Sequence, residues 1–303
     1  MTDLTSLQRE LRENFSDFIL KFNEPISKHT SFRIGGPAEV MFFPNREEEL
    51  ARMLQQCGDF GIRPVILGAG TNVLAPDEGV KGVIICLKDA LSGMELLDDN
   101  HIRVAAGVTM SRAAVFAANH GLSGLEFAHG IPGSVGGGVY MNAGAYGGEI
   151  CQVCARVRVM DFGGNIHTFT KEEMNFSYRH SILEETDNIV LSADFCLEQK
   201  DPTLIKERMK ELQSKRSASQ PLDLPSAGSA FKRPTRGYAA ALIDQTGLKG
   251  FRVGDAAISE KHAGFAVNLG AATANDVRQL LQQVSDRVYE NTGIRLEPEV
   301  RIW

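Results

Sequence analysis

The sequence has no apolar run of about 18 residues, the length that a membrane-spanning helix needs. Its N-terminus has no apolar core followed by small residues, so we expect no leader peptide. Lysine and arginine are scattered through a chain of net charge −6. The sequence therefore has no basic cluster of the kind that binds nucleic acids or membrane surfaces. We therefore expect a cytoplasmic globular protein with no nucleic-acid or membrane partner.

Cysteine is scarce, and the count of five is odd, which argues against a disulfide framework. Cys151 and Cys154 form a C-x-x-C pair, which could indicate redox chemistry or half of a zinc site. The chain has no second C-x-x-C, and the pair leads into the alternating ARVRVM of a strand. We therefore predict that both cysteines are buried packing residues and that there is no metal site.

A length of 303 residues allows two or three domains, and the order of the patterns predicts an α+β protein. Helical spacing is clear in four places, opened by the chain start, Asn45, Pro202 and Thr273. The predicted core faces of the first, second and last of these helices are Leu4, Leu7, Leu11, Phe15 and Phe18; Leu50, Met53, Leu54 and Cys57; and Val277, Leu280, Leu281, Val284 and Val288.

Residues 130–149, GIPGSVGGGVYMNAGAYGGE, contain eight glycines and almost no charge. Each glycine costs about 0.5 to 1 kcal/mol in a helix or strand, so we predict that this stretch is neither. Apolar residues such as Ile131 and Val139 lie among the glycines, unlike in a solvated linker. The pattern favours a backbone that approaches a flat or anionic ligand closely and offers it N–H donors.

A second glycine pair lies in the turn GAGTN, Gly68 to Asn72, which follows a predicted strand. A dinucleotide-binding fingerprint would have a third glycine where Val73 stands, and Pro76 follows where a helix should begin. The fingerprint therefore fails. We interpret the turn as a nest of backbone donors for a phosphate.

Six strings occur together in order: LGAGTNVL, residues 130–149, NFSYRHS, AGSAFKRP, GDAAISEKHAGFAVN and LEPEVRIW. Over about residues 26–303 the chain resembles the UDP-N-acetylenolpyruvoylglucosamine reductase (MurB) family, in its short-loop subclass, because residues 190–202 leave no room for a lid loop. The resemblance implies an α+β fold with an FAD-binding domain of the vanillyl-alcohol-oxidase type in two lobes and a C-terminal α+β substrate-binding domain. The implied boundaries are 1–88 with 293–303 returning to it, 89–201, and 202–292.

The resemblance also implies the ligands. They are non-covalent FAD, NADPH as co-substrate and the enolpyruvyl ether of UDP-N-acetylglucosamine as substrate. The residues expected to bind FAD are Gly68, Ala69, Gly70, Thr71, Asn72, Gly133, Ser134, Val135, Gly137, Gly138, Asn142, Ala143 and Gly144. Those expected to bind the substrate are Tyr146, Lys232, Arg233 and His262, and Arg233 departs from the asparagine usual in the family.

The chemistry of an enolpyruvyl ether indicates what a reducing site needs. Hydride addition to its terminal carbon leaves negative charge on the adjacent carbon and carboxylate, so a cation and a proton donor are required. The three residues that match the family's catalytic positions are Arg179 for the carboxylate, Ser229 as proton donor and Glu299 as an assisting acid. Glu299 should be protonated to donate a hydrogen bond, and Glu297 is its rival in the same segment.

Two other interpretations stay open on the sequence alone. An FAD-dependent oxidase of the same fold would act on another substrate, and a flavin-binding module would have no catalysis. The sequence contains no nicotinamide-binding fingerprint, so we expect NADPH to use the substrate pocket in turn. We expect a monomer.

Overall fold

The computed structural model describes residues 4–303; residues 1–3, the start of the predicted N-terminal lobe, lie outside the described part, as does the side chain of Leu4. The described chain falls into two compact units. Unit 1 contains residues 4–22, 40–69 and 82–214, and unit 2 contains residues 23–39, 70–81 and 215–303. The three-part division at residues 88 and 201 stays a prediction.

The structure combines helices with sheets whose strands are mostly antiparallel, as an α+β protein does. The helices are α1 Leu4–Asn14, α2 Glu47–Asp59, α3 Met110–Asn119, α4 Val135–Tyr140, α5 Ile150–Val153, α6 Pro202–Ser219, α7 Ala239–Gln245 and α8 Ala274–Thr292. The strands are β1 Ile19–Pro25, β2 Pro37–Phe43, β3 Val65–Leu67, β4 Val73–Leu74, β5 Val80–Cys86, β6 Met94–Leu96, β7 His101–Ala105, β8 Leu122–Ser123, β9 Gly144–Ala145, β10 Gly148–Glu149, β11 Cys154–Asp161, β12 Ile166–Thr170, β13 Asn188–Cys196, β14 Glu198–Gln199, β15 Ser226–Ser229, β16 Arg252–Val253, β17 Ala256–Ile258, β18 Phe265–Asn268 and β19 Arg301–Ile302.

The largest sheet of unit 1 is five-stranded, in the order β12-β11-β13-β7-β6, and all its neighbours are antiparallel. Its central strand β13 is buried along nearly its whole length. The alternation in β11 places Val157 and Val159 in the core, where they pack with residues of α3 and α4. This sheet therefore supports the glycine-rich helix α4.

A four-stranded sheet in the order β1-β2-β5-β3 carries a second core of unit 1, in which β3 runs parallel to β5. The buried faces of α1 and α2 pack in this core, with Leu7, Leu11 and Met53 fully buried. Helix α1 ends at Asn14, earlier than the spacing predicted, while Phe15 and Phe18 still pack in the same core.

Unit 2 contains an antiparallel sheet in the order β15-β18-β17-β16, with α7 and α8 packed on it. The five predicted inward residues of α8 are all buried, which confirms that helix. Its N-terminus has the capping box of Thr273 with Asp276. A short parallel pair joins β19, near the chain end, to β4.

Helix α2 starts differently from the prediction, which assigned its cap to Asn45 with Glu48. The N-cap is Arg46, which makes no side-chain cap, and buried Glu49 instead accepts a hydrogen bond from the Asn45 N–H at 2.8 Å. The predicted face of Leu50, Met53, Leu54 and Cys57 is buried, so the periodicity identified the core although the cap was wrong. Residues 190–202 are occupied by β13, β14 and the start of α6, without a long loop.

The prediction that residues 130–149 form no helix was wrong, because Val135–Tyr140 is the short helix α4. Tertiary contacts outweigh the low propensity of its three glycines. A Cβ on Gly136 would lie 3.0 Å from the Ala106 side chain, and one on Gly138 would lie 2.8 Å from Met110 Sδ. Close packing against Ala106 and Met110 therefore favours glycine at both positions.

The cysteine prediction held only in part. All five thiols are free; Cys154 is buried, but Cys151 is partly exposed because it lies in α5 and not on the strand. Burial raises the pKa of Cys57 and of Cys154 to about 12. Among residues 4–303, no group of three or more His, Cys, Asp or Glu side chains could hold a metal ion, and no helix is long and apolar enough to cross a membrane.

We expect thiol labelling of the folded protein to begin at Cys196, which is exposed. Even at about pH 9, Cys57 and Cys154 should stay unlabelled, because burial raises their pKa to about 12. Labelling with a chromogenic disulfide and peptide mapping tests this. The Cys196→Ser variant should lose the fast phase, and rapid labelling of Cys154 would contradict the burial.

Candidate functional site

Two of the predicted cofactor-binding stretches meet inside unit 1. A Cβ on Gly68, which follows β3, would lie 2.8 Å from Ser134 Oγ and 4.0 Å from the backbone nitrogen of Gly137. Ser134 is the N-cap of α4, and its hydroxyl accepts a hydrogen bond from Gly137 N–H at 3.4 Å. Around Gly137 itself, the nearest atom to an added Cβ would be Ser134 Oγ at 3.6 Å. The two glycines thus form a shallow surface without side chains.

Several backbone donors of the glycine-rich stretch are already used within unit 1. The N–H groups of Val135 and Gly136 donate to the carbonyls of Val108 and Ala106, and those of Gly138 and Ala143 donate to Ser134 and Gly138. These four groups hold α4 in the unit. The sequence predicted that N–H groups of this stretch donate to a ligand. These four N–H groups donate to the protein instead, so the prediction does not hold for them.

Asn142 organises the segment that follows α4. Its side chain is buried, its backbone has φ of 45°, and its amide makes three hydrogen bonds. The amide oxygen accepts from Cys151 N–H at 2.9 Å, while the amide nitrogen donates to Glu149 Oε2 at 3.1 Å and to the Ser177 carbonyl at 3.0 Å. The Asn142 side chain is thus committed within unit 1.

The same contacts bring Arg179 to the glycine-rich segment. Its guanidinium donates a long hydrogen bond, 3.4 Å, to the Gly144 carbonyl and lies over the Tyr178 ring. Together with the bond from Asn142 to Ser177, this contact joins residues 142–146 to residues 175–179. We call these two segments the paired loops. They place the predicted carboxylate-binding cation beside the predicted cofactor-binding backbone.

Unit 2 brings Ser229 and Glu299 to neighbouring backbone positions. Ser229 ends β15, where it is exposed and pairs with Phe265 of β18. The carbonyl of the next residue, Ala230, accepts a hydrogen bond from Glu299 N–H at 2.9 Å. Phe231 and Pro298 also pair as an isolated bridge. The backbone segments that carry Ser229 and Glu299 are therefore hydrogen-bonded to each other, although 70 positions separate the two residues.

Asn72 fixes the same segment from its other side. Its side-chain amide donates to the Glu299 carbonyl at 3.1 Å, and its own carbonyl accepts from Arg301 N–H at 3.0 Å. Nearby, Gly70 has φ of 65°, and a Cβ there would lie 2.0 Å from the His29 carbonyl oxygen. The turn from Gly70 to Asn72, predicted to bind phosphate, is thus also what supports Glu299.

The rival carboxylate Glu297 has a different environment. It forms an ion pair with Lys232, and its carbonyl accepts from Lys232 N–H at 2.9 Å. Glu297 has 70 % of its side chain exposed, whereas Glu299 is half-buried. The contacts therefore give Glu297 the role of a surface partner for Lys232.

The other predicted substrate residues differ in surroundings. Arg233 lies over the ring of Tyr238 at 4.5 Å, and Tyr146 is 42 % exposed at the tip of the hairpin between β9 and β10. His262 packs edge-on against Phe265, and its Nδ1 accepts from Gly264 N–H at 3.1 Å. Burial lowers the pKa of His262, which favours the neutral form of its ring.

Four residues with a part in these sites were not singled out from the sequence. The Ser31 hydroxyl donates to the Ser226 carbonyl at 2.6 Å and lies 3.4 Å from the Gly70 carbonyl oxygen. The Ser181 hydroxyl donates to the Tyr140 carbonyl at 2.7 Å. Glu149 binds Asn142, and buried Nδ1 of His129 has no hydrogen-bond partner among the described residues. Ser181 and Glu149 lie inside the quoted strings, but no spacing rule indicates their distant partners.

Comparison with known proteins identifies both parts of the chain. Residues 38–170 match the family profile described as an FAD binding domain, and residues 220–303 match that of the UDP-N-acetylenolpyruvoylglucosamine reductase C-terminal domain. These matches confirm the predicted FAD-binding domain and C-terminal domain of an α+β protein.

Similar proteins share nearly the whole length. A UDP-N-acetylenolpyruvoylglucosamine reductase of Pseudothermotoga lettingae is 47% identical, with 94% of this chain and 98% of that protein covered. One from Lactococcus lactis subsp. cremoris is 43% identical, with 96% of each covered. The crystal structure of the reductase from Thermus caldophilus superimposes with a TM-score of 0.79 at 36% identity, over 94% of this chain and 98% of that one. The chain belongs to the UDP-N-acetylenolpyruvoylglucosamine reductase family.

Proposed function

We propose that this protein uses NADPH and FAD to reduce the enolpyruvyl ether of UDP-N-acetylglucosamine to UDP-N-acetylmuramate. It is an FAD-containing oxidoreductase. The observation that carries the proposal is that relatives with this reductase name cover more than nine-tenths of the chain. The same names favour the reductase over an oxidase of the same fold acting on another substrate.

The residues of unit 1 fit FAD. Gly137 is exposed, and a Cβ there would have one protein atom within 4 Å, Ser134 Oγ, so this side of α4 has room for a ligand. The buried Nδ1 of His129, next to Gly130, has no partner among the described residues. Bound there, FAD supplies hydride to the substrate after reduction by NADPH. We propose that it is held by the residues predicted from the sequence: Gly68, Ala69, Gly70, Thr71, Asn72, Gly133, Ser134, Val135, Gly137, Gly138, Asn142, Ala143 and Gly144. Because the Asn142 side-chain amide is hydrogen-bonded to Ser177 and Cys151, Asn142 would contact FAD through its backbone.

Arg179 binds the carboxylate of the enolpyruvyl group. A guanidinium can grip a carboxylate with two parallel hydrogen bonds, and the attraction grows as negative charge develops during reduction. Its bond to the Gly144 carbonyl holds the guanidinium beside the cofactor-binding segment before substrate arrives. The residue is therefore pre-positioned, which lowers the cost of ordering it in the transition state.

Ser229 donates a proton to the carbon next to the carboxylate. A serine hydroxyl is a weak acid, but the developing carbanion is a far stronger base than an alkoxide, so a correctly placed hydroxyl suffices. Glu299 assists by donating a hydrogen bond to the charged carboxylate or by relaying the proton. The hydrogen bond from Glu299 N–H to the Ala230 carbonyl is what supports their joint action.

The remaining assignments follow from the predicted substrate residues. Tyr146, Lys232, Arg233 and His262 bind the diphosphate and sugar of the nucleotide, and NADPH uses the same binding groups in turn. The enzyme acts as a monomer in the cytoplasm, where its product enters peptidoglycan synthesis and so supports cell shape and division. The division into two FAD-binding lobes, 1–88 with 293–303 returning to it and 89–201, and a substrate domain, 202–292, belongs to this proposal.

The function is tested with the purified protein. It should be yellow, lose its colour with NADPH under nitrogen, and recover it when the enolpyruvyl nucleotide is added. Recovery with oxygen alone would support an oxidase, and no bleaching at all would support an inactive flavin-binding module.

The Ser229→Ala variant separates proton donation from the rest. NADPH should bleach it at close to the normal rate, whereas recovery of colour with substrate should slow by about 10²- to 10⁴-fold, as expected for loss of a general acid. Stopped-flow absorbance measures both rates. Ser226→Ala, in the same strand, is the matched control and should keep both rates. Equal slowing of the two steps in Ser229→Ala would show a structural role instead.

The Gly68→Ala variant tests the cofactor surface. Because its Cβ would lie 2.8 Å from Ser134 Oγ, the N-cap must shift, and we expect the dissociation constant for FAD to rise at least about tenfold. Quenching of flavin fluorescence measures it. Gly58→Ala in α2 is the control, since no atom would lie within 4 Å of its new Cβ, and it should leave FAD affinity unchanged. Equal affinity of both variants would contradict the assignment.

A further inference from the structure

The paired loops contain a cluster of unfavourable backbone conformations. Seven non-glycine residues among residues 4–303 have positive φ, and four of them are Asn142, Tyr146, Asn175 and Arg179. Each paired loop therefore begins and ends in the left-handed region. Such conformations cost L-residues energy and persist where the surrounding structure enforces them, commonly at functional sites.

Tyr146 is the least expected of the four. It and Gly147 are the two residues between the paired positions Ala145 and Gly148, with φ of 54° and 86°. Positive φ at both central residues marks a type I′ turn, for which the favoured sequence is Asn-Gly. Asparagine, found at positions 142 and 175, adopts the left-handed region more readily than most residues. Tyrosine has no such preference for that region. A single change would give this turn its favoured sequence.

Burial does not offset the strain at Tyr146, because the residue is 42 % exposed. Two residues earlier, the Gly144 carbonyl accepts a hydrogen bond from the Arg179 guanidinium. The Arg179 backbone is also left-handed, with φ of 57°. An exposed aromatic residue and a cation thus lie at the ends of loops that are hydrogen-bonded to each other.

We propose that the left-handed backbone at Tyr146 is strain retained for substrate binding: it directs the phenol to the anionic substrate whose carboxylate Arg179 binds. This inference rests on the proposed function. Tyr146 is then a specificity-determining residue whose conformation lowers the stability of the fold. A residue kept for the turn itself would be asparagine or glycine.

The Tyr146→Asn variant tests this directly. With the turn sequence now Asn-Gly, the FAD-loaded enzyme should melt about 2 to 4 °C higher, while the KM for the enolpyruvyl nucleotide rises at least about tenfold. Tyr146→Phe keeps the ring and the strain, so its melting temperature should match the wild type, and loss of the hydroxyl should raise KM about threefold or more. Melting is measured at one fixed excess of FAD, with FAD affinity determined for each variant.

Asp89→Asn is the matched control. Asp89 lies in unit 1, is exposed and has φ of 59°, but belongs to neither paired loop. Its variant should keep the wild-type KM. An unchanged or lower melting temperature in Tyr146→Asn would overturn the inference, and so would a higher one with wild-type KM. If the wild-type enzyme does not reduce the nucleotide, the proposed function itself fails, whatever the melting temperatures.

Discussion

The arrangement of the paired loops in unit 1 depends on the buried side-chain amide of Asn142. This amide binds the backbone of Cys151, the carboxylate of Glu149 and the carbonyl of Ser177, and so ties together three segments. A neutral hydrogen bond contributes about 0.5 to 1.5 kcal/mol, but a buried partner left without one costs about 1 to 3 kcal/mol. The paired loops, and with them the position of Arg179, therefore depend on one side chain that does no chemistry.

Unit 2 uses the same principle with the backbone as the connecting group. Asn72 and Ala230 hold the Glu299 residue through its carbonyl and its N–H. Glu297, two positions earlier, is drawn to Lys232 instead. The difference between two carboxylates in one short segment thus comes from their neighbours, because their sequence context is almost the same.

Local patterns predicted most of the fold. The face of α8 repeats with the helical period, so Val277 through Val288 could be assigned to the core from spacing alone. Helix α4 was not predictable in this way, because its glycines are helical only through packing against Ala106 and Met110. The cap of α2 failed for a similar reason, since the buried Glu49 is a partner that no cap rule selects.

The candidate site follows the same division. The resemblance supplied Arg179, Ser229 and Glu299, but the bonds that join residues 142 and 144 to residues 177 and 179 span 35 positions each. Contacts of that separation leave no periodic trace in a single sequence. Backbone strain leaves no periodic trace in the sequence either, because nothing in the residues around Tyr146 indicates its positive φ.

The exposure of Ser229 also bears on turnover. A serine that gives a proton to carbon becomes an alkoxide, a strong base that must be reprotonated before the next cycle. Because Ser229 is exposed, water can return this proton once product leaves. A buried serine would need an internal relay. An exposed serine thus suits the proposed reaction, provided that bound substrate excludes water while the proton moves to carbon.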